Sequence, residues 1–434
     1  MMQSPGEQVA ICFYPPAYDI RVERIPIPRI EYPDDAIVKV KLAGLCGSDL
    51  HIYRGTEGIM EPCVCGHEFV GEVIALGSSF HPNASGRPSL YSTLQVGDKV
   101  ISPFTVSCGE CNFCHVGFTA RCVESCLFGS PHTPGGQAQY VRVPKAGGTL
   151  YNLQEVSAVH EGTKPDVKEF IPGLADSSLL LLCDILPTGV FAAFQALNHP
   201  KVLPMMRSLP FPHSSACTAG ESIYSAMPLL RPGAANLTIA IIGLGPVGVC
   251  TCIAAIDFLH ANGSDFKIVA IDPVETRRNK VTAIYSKISC DQTRGFLEVA
   301  DINESKRLVS EWTNGIGCNV VFEVVGNNSA LMLAYELVRP FGCITSVGVH
   351  ANSNVPFTGQ KLYNKNVSLD FGRCPVRAMF PMALDLLLRR QDVFSEVGGE
   401  VSLIDKIVGF DVAGKTYEEF DRRECGKVLF DPWR

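Results

Sequence analysis

The chain has 434 residues, of which 46% are hydrophobic and 19% charged, and its formal net charge is −7. This length favours two domains, and this composition is typical of globular proteins with a buried core. The negative charge argues against nucleic acid or an anionic membrane as the main partner, because both attract proteins with a basic surface.

The first twenty residues contain no basic segment followed by an apolar one, so we predict no secretory signal peptide and a cytoplasmic location. The sequence has 18 cysteines. Without a secretion signal, this number favours metal ligation and reduced buried thiols over disulfide bonds.

The first candidate metal site draws on two early segments. An alternating run at 36–42 predicts a strand that delivers Cys46 to a turn, and His67 follows in the segment GHEFVGEV. A Cys and a His on separate strand ends can supply two ligands of a catalytic zinc, with a third from later in the chain. Cys183 and Asp184 are both candidates, since zinc accepts sulfur or carboxylate oxygen.

A second candidate metal site is contained in one short segment. Four cysteines fall within fifteen residues among Gly, Asn and Glu: Cys108, Cys111, Cys114 and Cys122. This spacing predicts a tetrahedral zinc bound by four thiolates. Such a site has no open coordination position, so we expect its metal to stabilise the fold and not to catalyse.

Three segments stand out for length: 78–95, 152–174 and 199–235. The first is polar and rich in Pro and Gly, which predicts a surface loop. The third has methionines and aromatic residues among prolines, and either covers a substrate cleft or decorates the surface.

A strand, a glycine turn and a helix are predicted from residue 237 to about 259. The turn contains Gly243, Gly245, Pro246, Val247 and Gly248. In this context the glycines allow the backbone to approach a pyrophosphate at the helix N-terminus. The uncharged stretch 237–256 is long enough to span a membrane, but strand, turn and helix explain it better.

Asp272 ends the next predicted strand and bears on cofactor choice. An acid at this position accepts hydrogen bonds from ribose hydroxyls and repels a 2′-phosphate, which predicts NAD over NADP. Arg277 and Arg278 lie close by and weaken this prediction. Two later apolar strands, at 318–326 and 342–349, fit the same fold.

Five motifs resemble those of the zinc-containing medium-chain alcohol dehydrogenases, in order and approximate spacing, over most of the chain. They are CGSDLH at 46–51, GHEFVGEV at 66–73, the four-cysteine lobe at 108–122, LPTG at 186–189 and GLGPVG at 243–248. The resemblance implies an α/β fold with a Rossmann dinucleotide-binding domain and a GroES-like, β-rich catalytic domain. The catalytic domain would comprise 1–187 and 373–434, the NAD-binding domain 188–372, and the active site would lie between them.

The resemblance also implies ligands for the catalytic zinc. Cys46 and His67 match family ligands, whereas Asp184 stands where many members have cysteine. It is similar to a branch with Asp before a PTG turn, which includes formaldehyde dehydrogenases that act without added glutathione. Glu68 would be a transient ligand, and Asp49 would orient the histidine.

Further roles follow from the resemblance. Ser48 and His51 would relay the substrate proton to water. Residues beside the nicotinamide would be Thr188, Val325 and Val347. Lys427 matches a position that contacts the pyrophosphate, with a solvated surface charge as the alternative.

The predicted function is zinc-dependent hydride transfer between an alcohol or aldehyde (or ketone) and NAD(H). We expect two zinc ions per chain, a small-molecule substrate, no nucleic-acid or membrane partner, and a homo-oligomer, either dimer or tetramer. The alternatives are a zinc-free quinone or enoyl reductase of the same superfamily, or a non-enzymatic structural or regulatory relative.

Overall fold

The computed structural model describes residues 6–86, 89–153, 173–207, 237–289, 294–350 and 354–434. Two compact units divide the chain: the first comprises 1–187 and 375–434, and the second comprises 188–374. The sequence prediction put these boundaries at 187/188 and 372/373. Most of the long segments 152–174 and 199–235 lies outside the described residues.

The first unit is built on two sheets. The larger sheet runs in the order β15-β16-β3-β5-β6-β8, with β7 also pairing with β3, and the smaller runs β2-β1-β4. In chain order the strands are β1 Glu7–Tyr14, β2 Asp19–Pro26, β3 Ala36–Leu45, β4 Cys63–Val64, β5 Phe69–Leu76, β6 Lys99–Ser102, β7 Tyr140–Val143, β8 Tyr151–Asn152, β15 Ile404–Gly409 and β16 Lys427–Asp431.

Helices and 3-10 turns connect these strands. They are Asp49–Tyr53, Asn112–His115, Ala146–Thr149, Asp176–Leu180, Val376–Arg389, Gln391–Phe394 and Ala413–Asp421, with 3-10 turns at Ser78–Phe80, Ser89–Ser92, Thr119–Arg121, Leu181–Cys183 and Phe410–Val412. One core packs within the larger sheet, around Val38, Phe69 and Phe128, and another packs around Ile11, Leu45 and Phe430. Val38 and Ala43 of β3 belong to the first core and Leu45 to the second, so both cores hold β3 up to the residue before Cys46.

The second unit contains a six-stranded parallel sheet in the order β11-β10-β9-β12-β13-β14. This is the doubly wound order of a Rossmann fold. Its strands are β9 Leu237–Ile242, β10 Phe266–Ile271, β11 Gly295–Ala300, β12 Cys318–Glu323, β13 Val338–Ser346 and β14 Ser368–Phe371. Every residue of β9 and β12 is buried, as expected for central strands covered on both faces.

The described helices of this region are Ile185–Leu197, Leu203–Arg207, Pro246–Ala261, Glu275–Ile288, Ile302–Thr313, Asn328–Leu337 and Gly359–Lys365. The uncharged stretch 237–256 is strand β9, a turn and most of the helix Pro246–Ala261, as the sequence predicted. Among the described helices none is both long and apolar enough to cross a membrane alone. Two consecutive segments between 176 and 197, which meet at an angle of 48°, have the length and apolar composition of a membrane span only when taken together.

Candidate active site

Three predicted donors from distant segments converge in the first unit. Cys46 directly follows β3, His67 precedes β5, and Asp184 precedes the helix Ile185–Leu197. Asp184 Oδ2 lies 3.4 Å from Cys46 Sγ and 3.5 Å from His67 Nε2. A thiol, an imidazole and a carboxylate at this spacing form a donor set that zinc uses when its fourth position stays open to substrate.

Asp49 supports two members of this set. Its Oδ1 lies 3.1 Å from His67 Nδ1, and its Oδ2 accepts the backbone N–H of Cys46 at 2.9 Å. A carboxylate behind Nδ1 keeps the proton on that nitrogen and leaves the lone pair of Nε2 for a metal. Asp49 is itself buried, so it holds both groups in a fixed orientation.

The protonation of the donors also fits a cation. Burial raises the pKa of Cys46, and the neighbouring Asp184 and Glu68 raise it further. Burial alone would lower the pKa of His67, but Asp49 and Asp184 hold it well above its usual value. Without a cation the set therefore keeps protons on sulfur and imidazole. A divalent metal would displace these protons as it binds.

Cys183, the alternative third ligand, faces a different neighbour. Its Sγ donates to the Phe69 carbonyl oxygen at 3.3 Å, and the residue is fully buried. The structure thus brings Asp184, and not Cys183, to Cys46 and His67.

Glu68 and Lys427 form a buried ion pair beside the donor set. Both side chains are at most 1% exposed, and Lys427 Nζ donates to Glu68 Oε2. Burial alone would lower the pKa of Lys427, but Glu68 raises it above its usual value. Glu68 Oε1 is buried without a hydrogen-bond partner in the described part of the chain, and Glu68 belongs to the same cluster as Cys46, His67 and Asp184. An orphaned buried carboxylate oxygen at this place fits a cation in the cluster.

The burial of Lys427 contradicts one of its two sequence predictions, the solvated surface charge, while the pyrophosphate contact stays a prediction. We expected a pyrophosphate contact or, alternatively, a solvated surface charge. Lys427 is the first residue of β16, which pairs with the end of β3 through Val428 and Leu45. The side chain is therefore inside the first unit, and its ammonium group is occupied by Glu68.

The predicted proton-relay residues lie next to the donor set in the chain. Ser48 Oγ is 3.2 Å from His67 Nε2. His51 lies in the helix Asp49–Tyr53 and is partly buried, which lowers its pKa. The imidazole is consequently neutral near pH 7 and able to accept a proton.

The four lobe cysteines also converge. Their sulfur atoms, those of Cys108, Cys111, Cys114 and Cys122, lie within 4.8 Å of one another. Backbone N–H groups of Glu110 and Cys111 donate to Cys108 Sγ, and those of Cys108 and Glu124 donate to Cys122 Sγ. Backbone N–H groups of Val123 and Cys114 lower the pKa of Cys111 to about 6. Amide donors stabilise thiolates, the form that binds zinc.

The glycine turn of the second unit links β9 to the helix Pro246–Ala261. Gly243 has φ +97°, and a Cβ on Gly248 would collide with the Gly243 carbonyl oxygen, so both positions require glycine. Gly245 caps the helix, and Pro246 and Val247 begin it. The backbone N–H groups of Val247 and Gly248 precede the first hydrogen bond of the helix, from Val249 to Gly245, and N–H groups at this position suit a phosphate.

Asp272 directly follows β10 and is buried beside this turn. Its Oδ2 accepts the N–H of Leu244 at 2.8 Å, and its Oδ1 accepts that of Val274 at 2.8 Å. Arg277 Nη1 lies 3.6 Å from Oδ2, and Arg278 donates to the Asp272 backbone carbonyl. The carboxylate is therefore fixed in place with one guanidinium group close by.

Thr188 is buried near the start of the helix Ile185–Leu197. Val325 follows β12 and is exposed, and Val347 follows β13 and is partly buried. Both valines therefore lie just beyond the carboxyl ends of parallel strands, where ligands of doubly wound sheets bind.

Sequence reasoning missed a polar network at the same ends. Glu323, the last residue of β12, accepts the N–H groups of Val325 and Gly326 through Oε1 at 2.9 and 2.7 Å. Its Oε2 accepts the Ser346 hydroxyl at 2.6 Å and lies 3.1 Å from His350 Nε2. An acidic residue at the end of a predicted buried strand could have indicated this network, because a fully buried carboxylate requires hydrogen-bond partners.

Comparisons with known proteins agree with this architecture. Residues 32–154 match the family model of the alcohol dehydrogenase GroES-like domain, and residues 246–389 match that of the zinc-binding dehydrogenases. The matches cover much of both units. They favour the zinc-dependent enzyme over the zinc-free reductase and the non-enzymatic relative.

Individual relatives span most of the chain. The chain is 35% identical to zinc-type alcohol dehydrogenase B of Aspergillus flavus, over 99% of this chain and 82% of that protein. It is 34% identical to the medium chain reductase/dehydrogenase ucsI of Acremonium sp., over 83% and 99% respectively. The solved structure of alcohol dehydrogenase TADH from Thermus sp. ATN1 matches with a TM-score of 0.70 and 28% identity, over 98% of this chain and 99% of that one. The chain belongs to the zinc-type medium-chain alcohol dehydrogenase family, with GroES-like and Rossmann domains, and is a zinc-dependent oxidoreductase of small-molecule alcohols.

Proposed function

We propose that this enzyme transfers hydride between an alcohol or aldehyde and NAD(H) at a zinc held by Cys46, His67 and Asp184, with a second zinc held by the lobe cysteines. The observation that carries the proposal is the convergence of these three donors, with Asp49 behind the imidazole and the orphaned Glu68 Oε1 beside them. Three protein ligands leave room for one substrate oxygen.

Zinc at this site would act as a Lewis acid that lowers the pKa of a substrate hydroxyl or polarises a carbonyl. NAD would accept the hydride. The chain contributes the remaining functions. Asp49 orients His67, and burial of the donor set strengthens every charge interaction there.

Ser48 and His51 would carry the substrate proton outward. Ser48 is in hydrogen-bonding distance of His67, so its hydroxyl is close to the donor set. His51 follows three residues later, and its lowered pKa keeps a neutral nitrogen ready to receive the proton. Replacing His51 with Gln should lower the rate of alcohol oxidation more near neutral pH, where His51 is neutral and hydroxide is scarce, than at alkaline pH, where hydroxide can accept the proton.

The predicted NAD preference draws support from Asp272. Its carboxylate is held by two backbone amides beside the glycine turn, and would repel a 2′-phosphate there. Arg277 partly offsets this charge. Titration of the enzyme with NADH and NADPH, followed by fluorescence, tests the preference. Tighter binding of NADPH would contradict it, and Asp272→Asn should narrow the difference between the two cofactors.

The central experiment compares two neighbouring residues. Asp184→Asn should lose one zinc per chain and its alcohol-dependent production of NADH. Cys183→Ala is the matched control, since the Cys183 thiol forms its hydrogen bond with the Phe69 carbonyl oxygen. This variant should keep the wild-type zinc content and its NADH production. If Asp184→Asn bound as much zinc per chain as the wild type, the ligand assignment would be contradicted. Occupied zinc sites at the donor set and the lobe, without NADH production from any alcohol in a broad panel, would contradict the proposed reaction.

The division of labour between the units belongs to the same proposal. The first unit would hold both metals and the substrate, and the second would bind NAD. A dimer or tetramer is expected for the complete enzyme, and sedimentation equilibrium of the purified chain tests it.

A further inference from the structure

A third cluster of metal-ligating side chains lies in the second unit, far in sequence from both predicted zinc sites. His199, Cys343 and Asp370 each place one donor atom within 4.8 Å of the other two. An imidazole, a thiol and a carboxylate are also the three donor types that meet at Cys46, His67 and Asp184.

Three separate elements supply these donors. Cys343 lies in β13 and Asp370 in β14, and the strands pair in parallel with Thr345 opposite Asp370. Alternate residues of a strand share a face, so Cys343 and Thr345 project to the same side of the sheet. His199 follows the helix Ile185–Leu197 and completes the cluster.

The spacing suits a tetrahedral metal. With bonds of about 2.0–2.3 Å, the ligand atoms of a tetrahedral zinc lie roughly 3.3–3.8 Å apart. Cys343 Sγ lies 3.4 Å from Asp370 Oδ2, the same separation as between Cys46 Sγ and Asp184 Oδ2. His199 Nε2 makes no hydrogen bond within the described ranges of the chain, although the ring is partly buried.

The protonation of the donors is compatible with metal binding. Burial lowers the pKa of His199 although the neighbouring Asp370 acts to raise it, so the ring is neutral as a ligand must be. Burial and Asp370 raise the pKa of Cys343 to about 12. The free protein therefore holds a thiol, and its proton would pass to solvent as the sulfur–metal bond forms.

Two features of Lys201, its positive charge and its backbone hydrogen bond to His199, act against a bound cation, and both effects are small. Its ammonium group already donates to the Asn366 carbonyl and lies 5.6 Å from the centre of the Phe341 ring, so other partners hold it. Its backbone N–H donates to His199 Nδ1 at 3.1 Å. A metal on Nε2 would require the proton to move to Nδ1, which gives up that one hydrogen bond. This cost is small beside the gain of three metal–ligand bonds.

We propose that His199, Cys343 and Asp370 form a third zinc site, with water in the fourth position, which ties the segment after the helix Ile185–Leu197 to β13 and β14. Zinc is the metal of choice because a mixed sulfur, nitrogen and oxygen donor set with tetrahedral spacing suits it. None of these residues belongs to the predicted catalytic set, so the inference is independent of the proposed function.

The test is the number of zinc ions bound by the full chain. The protein is stripped with a chelator, re-equilibrated with zinc against a competing chromophoric chelator, passed through a desalting column and measured by elemental analysis. His199→Gln, Asp370→Asn and Cys343→Ala should each bind one zinc fewer per chain than the wild type. Cys318→Ala, which removes another fully buried thiol of the same sheet, is the matched control and should bind the wild-type number.

Cobalt(II) provides a second readout. The absorption spectra of the cobalt-loaded wild type and His199→Gln are compared. The variant should lack the thiolate-to-cobalt absorption of one site. If His199→Gln and Asp370→Asn, both partly exposed positions, bind as much zinc as the wild type, the proposal is overturned even if Cys343→Ala fails to fold. NADH production is measured on the same samples. The His199→Gln enzyme should lose the third zinc and keep its hydride transfer, which separates this site from the catalytic one.

Discussion

The two predicted zinc sites of the first unit are built in opposite ways. The lobe takes four sulfurs from fifteen consecutive residues and surrounds them with amides of the same segment. The donor set of Cys46, His67 and Asp184 takes three unlike side chains from segments up to 138 positions apart, and buries them with a carboxylate behind. A closed site can therefore be encoded locally, whereas an open site depends on the whole fold around it.

The largest effect is expected at the open site. Cys46→Ala should lower the rate of alcohol oxidation by at least about 10³-fold, because a catalytic metal supplies several kcal/mol of transition-state stabilisation. The lobe should keep its zinc, so metal analysis should find one ion fewer. Steady-state kinetics with metal analysis checks this. If Cys46→Ala oxidised alcohol at the wild-type rate, the open site could not be the catalytic one.

Loss of the lobe metal should act on stability instead. Cys111→Ser should lower the free energy of unfolding by several kcal/mol, since structural zinc contributes its binding energy to folding. For a domain of this size that is a fall of roughly 10 °C in the unfolding midpoint. Calorimetry checks the midpoint, and the rate per folded, metal-loaded molecule should change little. A specific loss of rate with unchanged stability would mean that the lobe takes part in catalysis.

The buried ion pair beside the open site should also matter to stability. Lys427→Met leaves the Glu68 carboxylate buried and unpaired, which costs about 3–5 kcal/mol. The double variant Lys427→Met/Glu68→Gln should recover much of the loss, because it removes the uncompensated charge. Lys406→Met breaks the more exposed pair with Glu419 and should cost less than about 1 kcal/mol. Denaturant unfolding measures all three, and equal losses for Lys427→Met and Lys406→Met would refute this account.

The smallest effect is expected from Asp49. Asp49→Asn keeps an oxygen near His67 Nδ1 but removes the charge, and should weaken zinc at the open site by about 10–100-fold. The lobe, which draws its ligands from a different segment of the chain, serves as the internal control. Competition with a zinc-binding dye resolves the two affinities. An equal weakening at both sites would point to general destabilisation.

The sequence allowed the local features to be predicted, and the distant ones less well. The lobe and the glycine turn lie in single segments, so spacing alone indicated them. Residue chemistry left Cys183 and Asp184 open, because a choice between neighbours depends on backbone direction at the end of the 3-10 turn. The pairing of Lys427 with Glu68 depends on β16 lying beside β3, and no local pattern records that neighbour.

The cluster of His199, Cys343 and Asp370 was missed for the same reason. Its members come from a loop and two strands, and each alone is an ordinary His, Cys or Asp. The network of Glu323, Ser346 and His350 likewise depends on the register of parallel strands. Contacts of this kind follow from sheet order, which periodicity does not reveal.

The place of β16 has a consequence for synthesis. The partner of Glu68, Lys427, lies 359 positions further along the chain. β3 can pair with β16 only once that last part of the chain has been synthesised. While the ribosome is still making the second unit, the first unit holds an unpaired acid beside its metal donors. The enzyme therefore acquires its finished catalytic unit late, after the Rossmann sheet has been translated.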